Sequence, residues 1–304
     1  MAYYSGTAAS ITALRTALLT HAQADGWVLT GSVLSKAGVY FQIGENATDI
    51  TCLGCMSTAV IWPAPNVVSI GKIFWASGYP LQVISFPCNY EVFGFAQELF
   101  FVVNYDVSNY QWMAFGKSSV PGLPLAGGWC GASFGSAALI QEAAPISITA
   151  TGGGGSGSSG ETGCAALFWG TTQYLAYQRN CFVNSGLDSQ GWWYGATVNV
   201  NPIGIRSATP LIGLQPSVWN SEATLLPIRV LKERPSFKAS LIADIANARY
   251  VRIDNLTPGD VLTLGADRWK VFPWYVKNSA ARNGSTAAIS HTGTFGWAIR
   301  YQGP

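Results

Sequence analysis

From Trp27 onward the chain is written in short runs of Val, Ile, Tyr, Phe and Trp, each cut off by Gly, Pro, Asn or Ser, and this punctuation constrains the fold most tightly. Trp27-Val28-Leu29-Thr30, Val39-Tyr40-Phe41-Gln42-Ile43, Leu81-Gln82-Val83-Ile84-Ser85-Phe86 and Leu99-Phe100-Phe101-Val102-Val103-Asn104-Tyr105 all read as strands. β-branched and aromatic residues suit a pleated, half-buried surface. None of the runs approaches the ~20 consecutive apolar residues of a membrane-spanning helix. The expected class is mainly β, in β-sandwich or barrel-like modules. Asp106-Val107-Ser108-Asn109 links the last run to Tyr110-Gln111-Trp112-Met113-Ala114-Phe115, which predicts a hairpin with a four-residue loop.

Only the N-terminal segment departs from this texture. Ile11, Leu14, Leu18 and Ala22 recur at three- and four-residue spacing, with Ser10 as N-cap and Gly26 as stop, so one helix is expected within residues 1–26. Arg15 and His21 are expected on its outer side. Residues 27–215 follow as a β-rich domain interrupted by a Gly/Ser-rich stretch at 151–163, whose composition is that of a long surface loop. Trp129-Cys130-Gly131-Ala132-Ser133 and Trp193-Tyr194-Gly195-Ala196-Thr197 share a W-x-G-A-[S/T] pattern across that loop. Beyond Leu214-Gln215-Pro216-Ser217 charge density rises, and residues 216–304 read as a smaller C-terminal β module. Its expected strands are Leu225 to Leu231, Arg249 to Ile253, Val261 to Leu264, Trp269 to Phe272 and Phe295 to Tyr301.

Charge is scarce: 11% of residues are Asp, Glu, Lys or Arg, against about 25% in ordinary soluble domains. Part of the surface is therefore expected to face other protein. The net charge of +2, without a Lys/Arg run, offers no electrostatic footprint for a phosphate backbone, so nucleic acid is not an expected direct ligand. The N-terminus lacks a basic n-region, so no secretion signal is expected, and Cys52, Cys55, Cys88, Cys130, Cys164 and Cys181 are expected as reduced thiols packed as small hydrophobes.

Signals for chemistry are thin. Cys52-Leu53-Gly54-Cys55 has the spacing of a zinc half-site, but no second C-x-x-C exists and His21 and His291 stand apart, so a tight turn with two buried thiols is the expected reading and no metal or cofactor is. The Gly-rich loop lacks the Gly-Lys-[Ser/Thr] ending of a phosphate cradle. Asp106, Asp188 and Glu161 sit in loops, where solvated acids ordinarily sit, and no catalytic residue is assigned.

Aromatic residues carry more information. Trp and Tyr bury large area while keeping a polar handle, so Trp112, Trp129, Trp192, Trp193, Tyr194, Trp269 and Trp274 are candidate subunit contacts. Core packing and a carbohydrate platform are the competing roles.

The segment from Phe101-Val102-Val103-Asn104-Tyr105 to Phe115-Gly116-Lys117, followed by Gly127-Gly128-Trp129, resembles virion structural proteins of tailed bacteriophages. So do Leu225 to Val230, Leu256 to Gly265, Asp267 to Trp274 and the ending Thr292 to Tyr301. The resemblance implies a non-enzymatic structural subunit, assembled in the bacterial host cytoplasm and residing in the virion, in the tail or baseplate. Its implied partners are copies of itself and other virion proteins. A receptor-binding or carbohydrate-binding tail-tip protein that meets host surface glycan, an enzyme that degrades envelope polymers, and a capsid-associated minor protein are the alternatives.

Overall fold

The computed structural model describes residues 1–74, 82–135, 180–189, 191–194, 202–203, 223–236, 238–274, 277 and 295–304. The chain is mainly β, with three large antiparallel sheets and one helix near the N-terminus. The first sheet runs in the order β1 (Ala2–Ala8), β9 (Cys88–Gly94), β10 (Glu98–Asp106), β11 (Asn109–Lys117), β12 (Gly128–Ala132), β14 (Cys181–Asn184), β15 (Trp192–Tyr194). The second runs β13 (Phe134–Gly135), β6 (Val68–Ile70), β5 (Ile50–Cys55), β4 (Val39–Glu45), β3 (Val33–Lys36), β2 (Val28–Thr30). The third runs β16 (Pro202–Ile203), β17 (Leu226–Arg234), β18 (Lys238–Arg252), β21 (Phe295–Arg300), β20 (Asp267–Pro273), β19 (Val261–Leu264). A two-stranded ribbon pairs β7 (Lys72–Phe74) with β8 (Gln82–Val83).

The three sheets stack with the first in the middle. Successive side chains on a strand point to opposite faces, and the contacts follow that alternation. On one face Phe93, Phe100 and Trp112 meet the third sheet through Phe272, Trp297 and Trp274, at ring-centroid separations of 5.8, 5.9 and 5.6 Å. On the other face Phe115 lies 5.1 Å from Phe41 and 5.1 Å from Trp27 of the second-sheet side. A strand covered on both faces must be apolar at every position. Leu99-Phe100-Phe101-Val102-Val103 is such a run, and all five residues are buried.

Helix α1 (Ile11–Ala24) forms where expected: Ser10 accepts a hydrogen bond from the Ala13 amide, and Ile11, Leu14, Leu18, Leu19 and Ala22 are buried. Its polar residues are less exposed than expected. Arg15 donates to the Ile43 carbonyl, and His21 stacks on Tyr4 at 4.4 Å, with burial lowering its pKa. No helix among the described residues is long and apolar enough to cross a membrane.

Several expectations change in detail. Residues 2–8 are an edge strand of the first sheet, so segment 1–26 is not purely helical. The hairpin closes more tightly, because Asp106 pairs with Asn109 and leaves a two-residue turn at Val107-Ser108. Of the run Leu81 to Phe86, Gln82–Val83 form strand. The third sheet begins before residue 216, at Pro202–Ile203, and its Trp274, Trp297 and Tyr250 belong to the same buried cluster as Phe100 and Trp112. The Gly/Ser stretch 151–163 lies outside the described residues, but strands on either side of it pair, Trp129 opposite Val183.

Polar links join the layers at chosen points. Glu98 of β10 is 2% exposed and accepts three hydrogen bonds from the third sheet: Ala246 N at 2.9 Å, Asn247 N at 3.0 Å and Asn247 Nδ2 at 2.7 Å. The donors sit where the β17–β18 register jumps from Pro227 opposite Arg249 to Ile228 opposite Ile245, so the carboxylate satisfies amides that the ladder releases. Lys270 pairs with Glu91, which also accepts from Tyr3 Oη at 2.9 Å.

Candidate assembly edges and an aromatic cleft

Five of the seven rings proposed as subunit contacts are interior. Trp112, Trp129 and Trp274 are fully buried, Trp269 and Trp192 nearly so. Trp274 stacks on Trp297 with centroids 5.0 Å apart, and Trp112 closes against both. Arg249 covers Trp269 at 4.8 Å. A ring enclosed by its own chain has no face to give a partner, so Trp112, Trp129, Trp269 and Trp274 are corrected to core residues, and Trp192 to a largely buried ring that lines a cleft. Trp193 and Tyr194 lie on β15, and their side chains, with His291, are outside the described residues.

The C-x-x-C pair is corrected as well. Cys52 and Cys55 lie on strand β5, not on a turn. Three positions apart on a strand, they point to opposite faces. Cys52 is buried beside Cys130 of β12, where burial holds its pKa well above the usual thiol value, while Cys55 Sγ donates to the Ser57 carbonyl. Two thiols on opposite faces cannot share a metal, and among the described residues no group of three or more His, Cys, Asp or Glu is placed to hold one. The described cysteines Cys52, Cys55, Cys88, Cys130 and Cys181 are all buried, and Cys52, Cys55, Cys88 and Cys130 are reduced thiols, as expected. Of the loop acids, Asp188 pairs with Arg234, Asp106 caps the hairpin turn, and Glu161 is outside the described residues.

Besides Met1, Val83 and the turn residue Val107, the exposed large apolar side chains lie in two kinds of place. One is an outermost strand of each outer sheet. β2 (Val-Leu-Thr) ends the second sheet with Val28 61% exposed, and β19 (Val-Leu-Thr-Leu) ends the third with Val261 and Leu264 exposed. Neither strand carries a charge, a proline or a bulge. Those are the devices by which lone proteins blunt a sheet edge, and an edge without them is a template for another strand. One outer strand of the first sheet differs: α1 packs beside β1 through the Tyr4–His21 stack.

The other place is the loop after β5. Trp62 is 75% and Ile61 52% exposed. Backbone bonds from Met56 N to Ile61 O and Ala64 N to Gly54 O close this loop, which holds Val60 at φ 56° and Trp62 at φ 43°. A β-branched or bulky residue in the left-handed region costs about 1–3 kcal/mol, which the surrounding structure must offset. The indole is thereby held outward. Beneath it lies a cleft of about 520 Å³ lined by Trp62, Pro63, Pro124, Leu125, Gly186, Gly191 and Trp192. Trp192 Nε1 donates to the Trp62 carbonyl at 3.0 Å, and the Trp192 ring rests on Gly54, where an added Cβ would meet it at 2.1 Å.

Opposite Trp192 across the β14–β15 ladder stands Asn184, so both side chains leave the same face of the sheet. Asn184 is 2% exposed; its Nδ2 donates to Met56 Sδ, and its Oδ1 has no hydrogen-bond partner among the described residues. Sequence reasoning missed Trp62, Ile61 and Asn184. The W-P-A-P stretch at 62–65 was the available signal, an aromatic between breakers in a segment with no strand pattern. No family model and no curated protein matches this chain.

Proposed function

We propose that this protein is a structural subunit of a tailed-bacteriophage virion, built into the tail or its baseplate, where it assembles with copies of itself and with neighbouring virion proteins. The observation that carries the reading is the pair of uncharged outer strands, β2 and β19, with Val28, Val261 and Leu264 turned to solvent. A partner strand laid along either one would satisfy its free backbone groups and cover its apolar side chains in one step. The resemblance of the hairpin around Phe101 to Lys117 and of the C-terminal strands to virion structural proteins points the same way. In this role the protein is architectural, not enzymatic, and uses no cofactor. It assembles in the host cytoplasm and ends in the particle.

Two measurements test this. Native mass spectrometry of the full chain should give discrete oligomers, and Val261→Lys combined with Leu264→Lys, or Val28→Lys alone, should reduce them to smaller species without changing the circular dichroism spectrum. Immunogold labelling of particles should then place the chain on tails. Label on capsids would favour a capsid-associated role, and a monomer indifferent to all three lysines would refute edge pairing.

A further inference from the structure

We propose that copies of this chain join head to tail, with β2 of one copy laid along β19 of the next, so that one contact repeats in one direction and builds a ring or a polar stack. This rests on the edge-pairing reading above and adds to it the polarity of assembly and the identity of the partner strand.

Two open edges on one chain allow three pairings between copies: β2 with β2, β19 with β19, and β2 with β19. The first two are two-fold contacts, whereas the third is head-to-tail and propagates. The strands are matched in length and chemistry, β2 reading Val28-Leu29-Thr30 and β19 reading Val261-Leu262-Thr263-Leu264. In each, one leucine, Leu29 or Leu262, is partly buried against its own core, while Val28 and Thr30, or Val261 and Thr263, are exposed. Side-chain fit alone therefore lets either strand pair with itself or with the other.

Charge separates the three. Residues 223–304, which supply five of the six strands of the third sheet, hold 11 Lys and Arg against 5 Asp and Glu, a net of +6. Residues 1–222, which supply the other two large sheets, hold 6 against 10, a net of −4. A contact of β19 with β19 fuses two third sheets edge to edge and sets one cation-rich module beside another. A contact of β2 with β2 joins two anion-rich bodies. Pairing β2 with β19 sets the cation-rich module of one copy beside the anion-rich body of the next, and does so at every contact. Juxtaposed like charge is a means of rejecting a wrong partner.

Distance sets the conditions under which this is felt. Six strands spaced ~4.8 Å apart put the centres of two third sheets joined at β19 about 29 Å from each other. The Debye length is ~30 Å at ~0.01 M ionic strength and ~8 Å at ~0.15 M. Charge across the whole modules therefore counts at the lower salt, and only the charges nearest the seam at the higher.

The test mixes two variants blocked at different edges, read by native mass spectrometry at about 0.01 M ionic strength. Val28→Lys closes β2 and leaves β19 open; Val261→Lys with Leu264→Lys does the reverse. All three positions are exposed, so both variants should keep the parent's circular dichroism spectrum. Head-to-tail pairing predicts that the parent assembles, that each variant alone is a monomer, and that their equimolar mixture gives a one-to-one heterodimer and nothing larger. Homodimers of either variant alone overturn the proposal in favour of a two-fold contact and leave edge pairing standing. A mixture that stays monomeric while the parent assembles overturns it as well. A monomeric parent, or variants that assemble as the parent does, would remove edge pairing itself and this proposal with it.

Discussion

Replacing Glu98 by Gln should change how stability depends on pH, and the magnitude follows from the geometry. Burial, with a smaller contribution from Asp244, pushes the Glu98 carboxyl up to about 7, against three donors that pull it down. In the unfolded chain it titrates near 4.5. A group that is harder to ionise in the fold favours folding fully below pH 4.5, and that contribution is lost as pH rises through about 7. The difference in pKa corresponds to about 3 kcal/mol. Gln keeps one acceptor and places an NH₂ where the second was. Its best orientation directs oxygen at the two Asn247 donors and leaves the Ala246 amide facing an N–H. That orphan costs about 1–3 kcal/mol, whatever the pH. Glu98→Gln should therefore be less stable than the parent by about 1–3 kcal/mol below pH 4.5, and should match or exceed it near pH 8. The stability difference between the two proteins should shift in the variant's favour by about 3 kcal/mol across that range. All other titrating groups are common to both proteins and cancel in the difference. Parallel stability profiles for parent and variant would refute the burial-driven shift.

Two further substitutions probe the core and the cleft. Gly54→Ala puts a methyl where the Trp192 ring now lies, at 2.1 Å, so Trp192 must move, the cleft should lose its floor, and the melting temperature should fall by several degrees, about 1–3 kcal/mol of overpacking. Trp297→Ala removes the ring that stacks on Trp274 and touches Phe100 and Trp112. A cost of about 3–5 kcal/mol in chemical unfolding is expected. A cost under about 1 kcal/mol would mean the third sheet is not held by that contact.

Strand and helix positions were legible because they are written locally. The Ile11-Leu14-Leu18-Ala22 spacing with its Ser10 cap marked the helix, and Val261–Leu264 between turn residues marked a strand to the residue. The tight Asp106–Asn109 closure was less legible, since turn length depends on which cross-strand partners align. The cleft was nearly invisible: Trp62, Leu125 and Trp192 are far apart in sequence, and each alone is an ordinary core candidate.

By itself the sequence determined that the chain would be strands joined by turns after one short helix, because backbone preference and residue alternation act over a few neighbours. Tertiary structure alone decided which aromatic rings are enclosed and which are offered, for Trp112 and Trp62 look alike in one dimension and end at 1% and 75% exposure. It also gave the scarcity of charge a second cause. A middle sheet covered on both faces has no solvent side to furnish with ionic groups, so a low charge count follows from stacking three sheets within one chain, and the case for partners rests on the open edges instead.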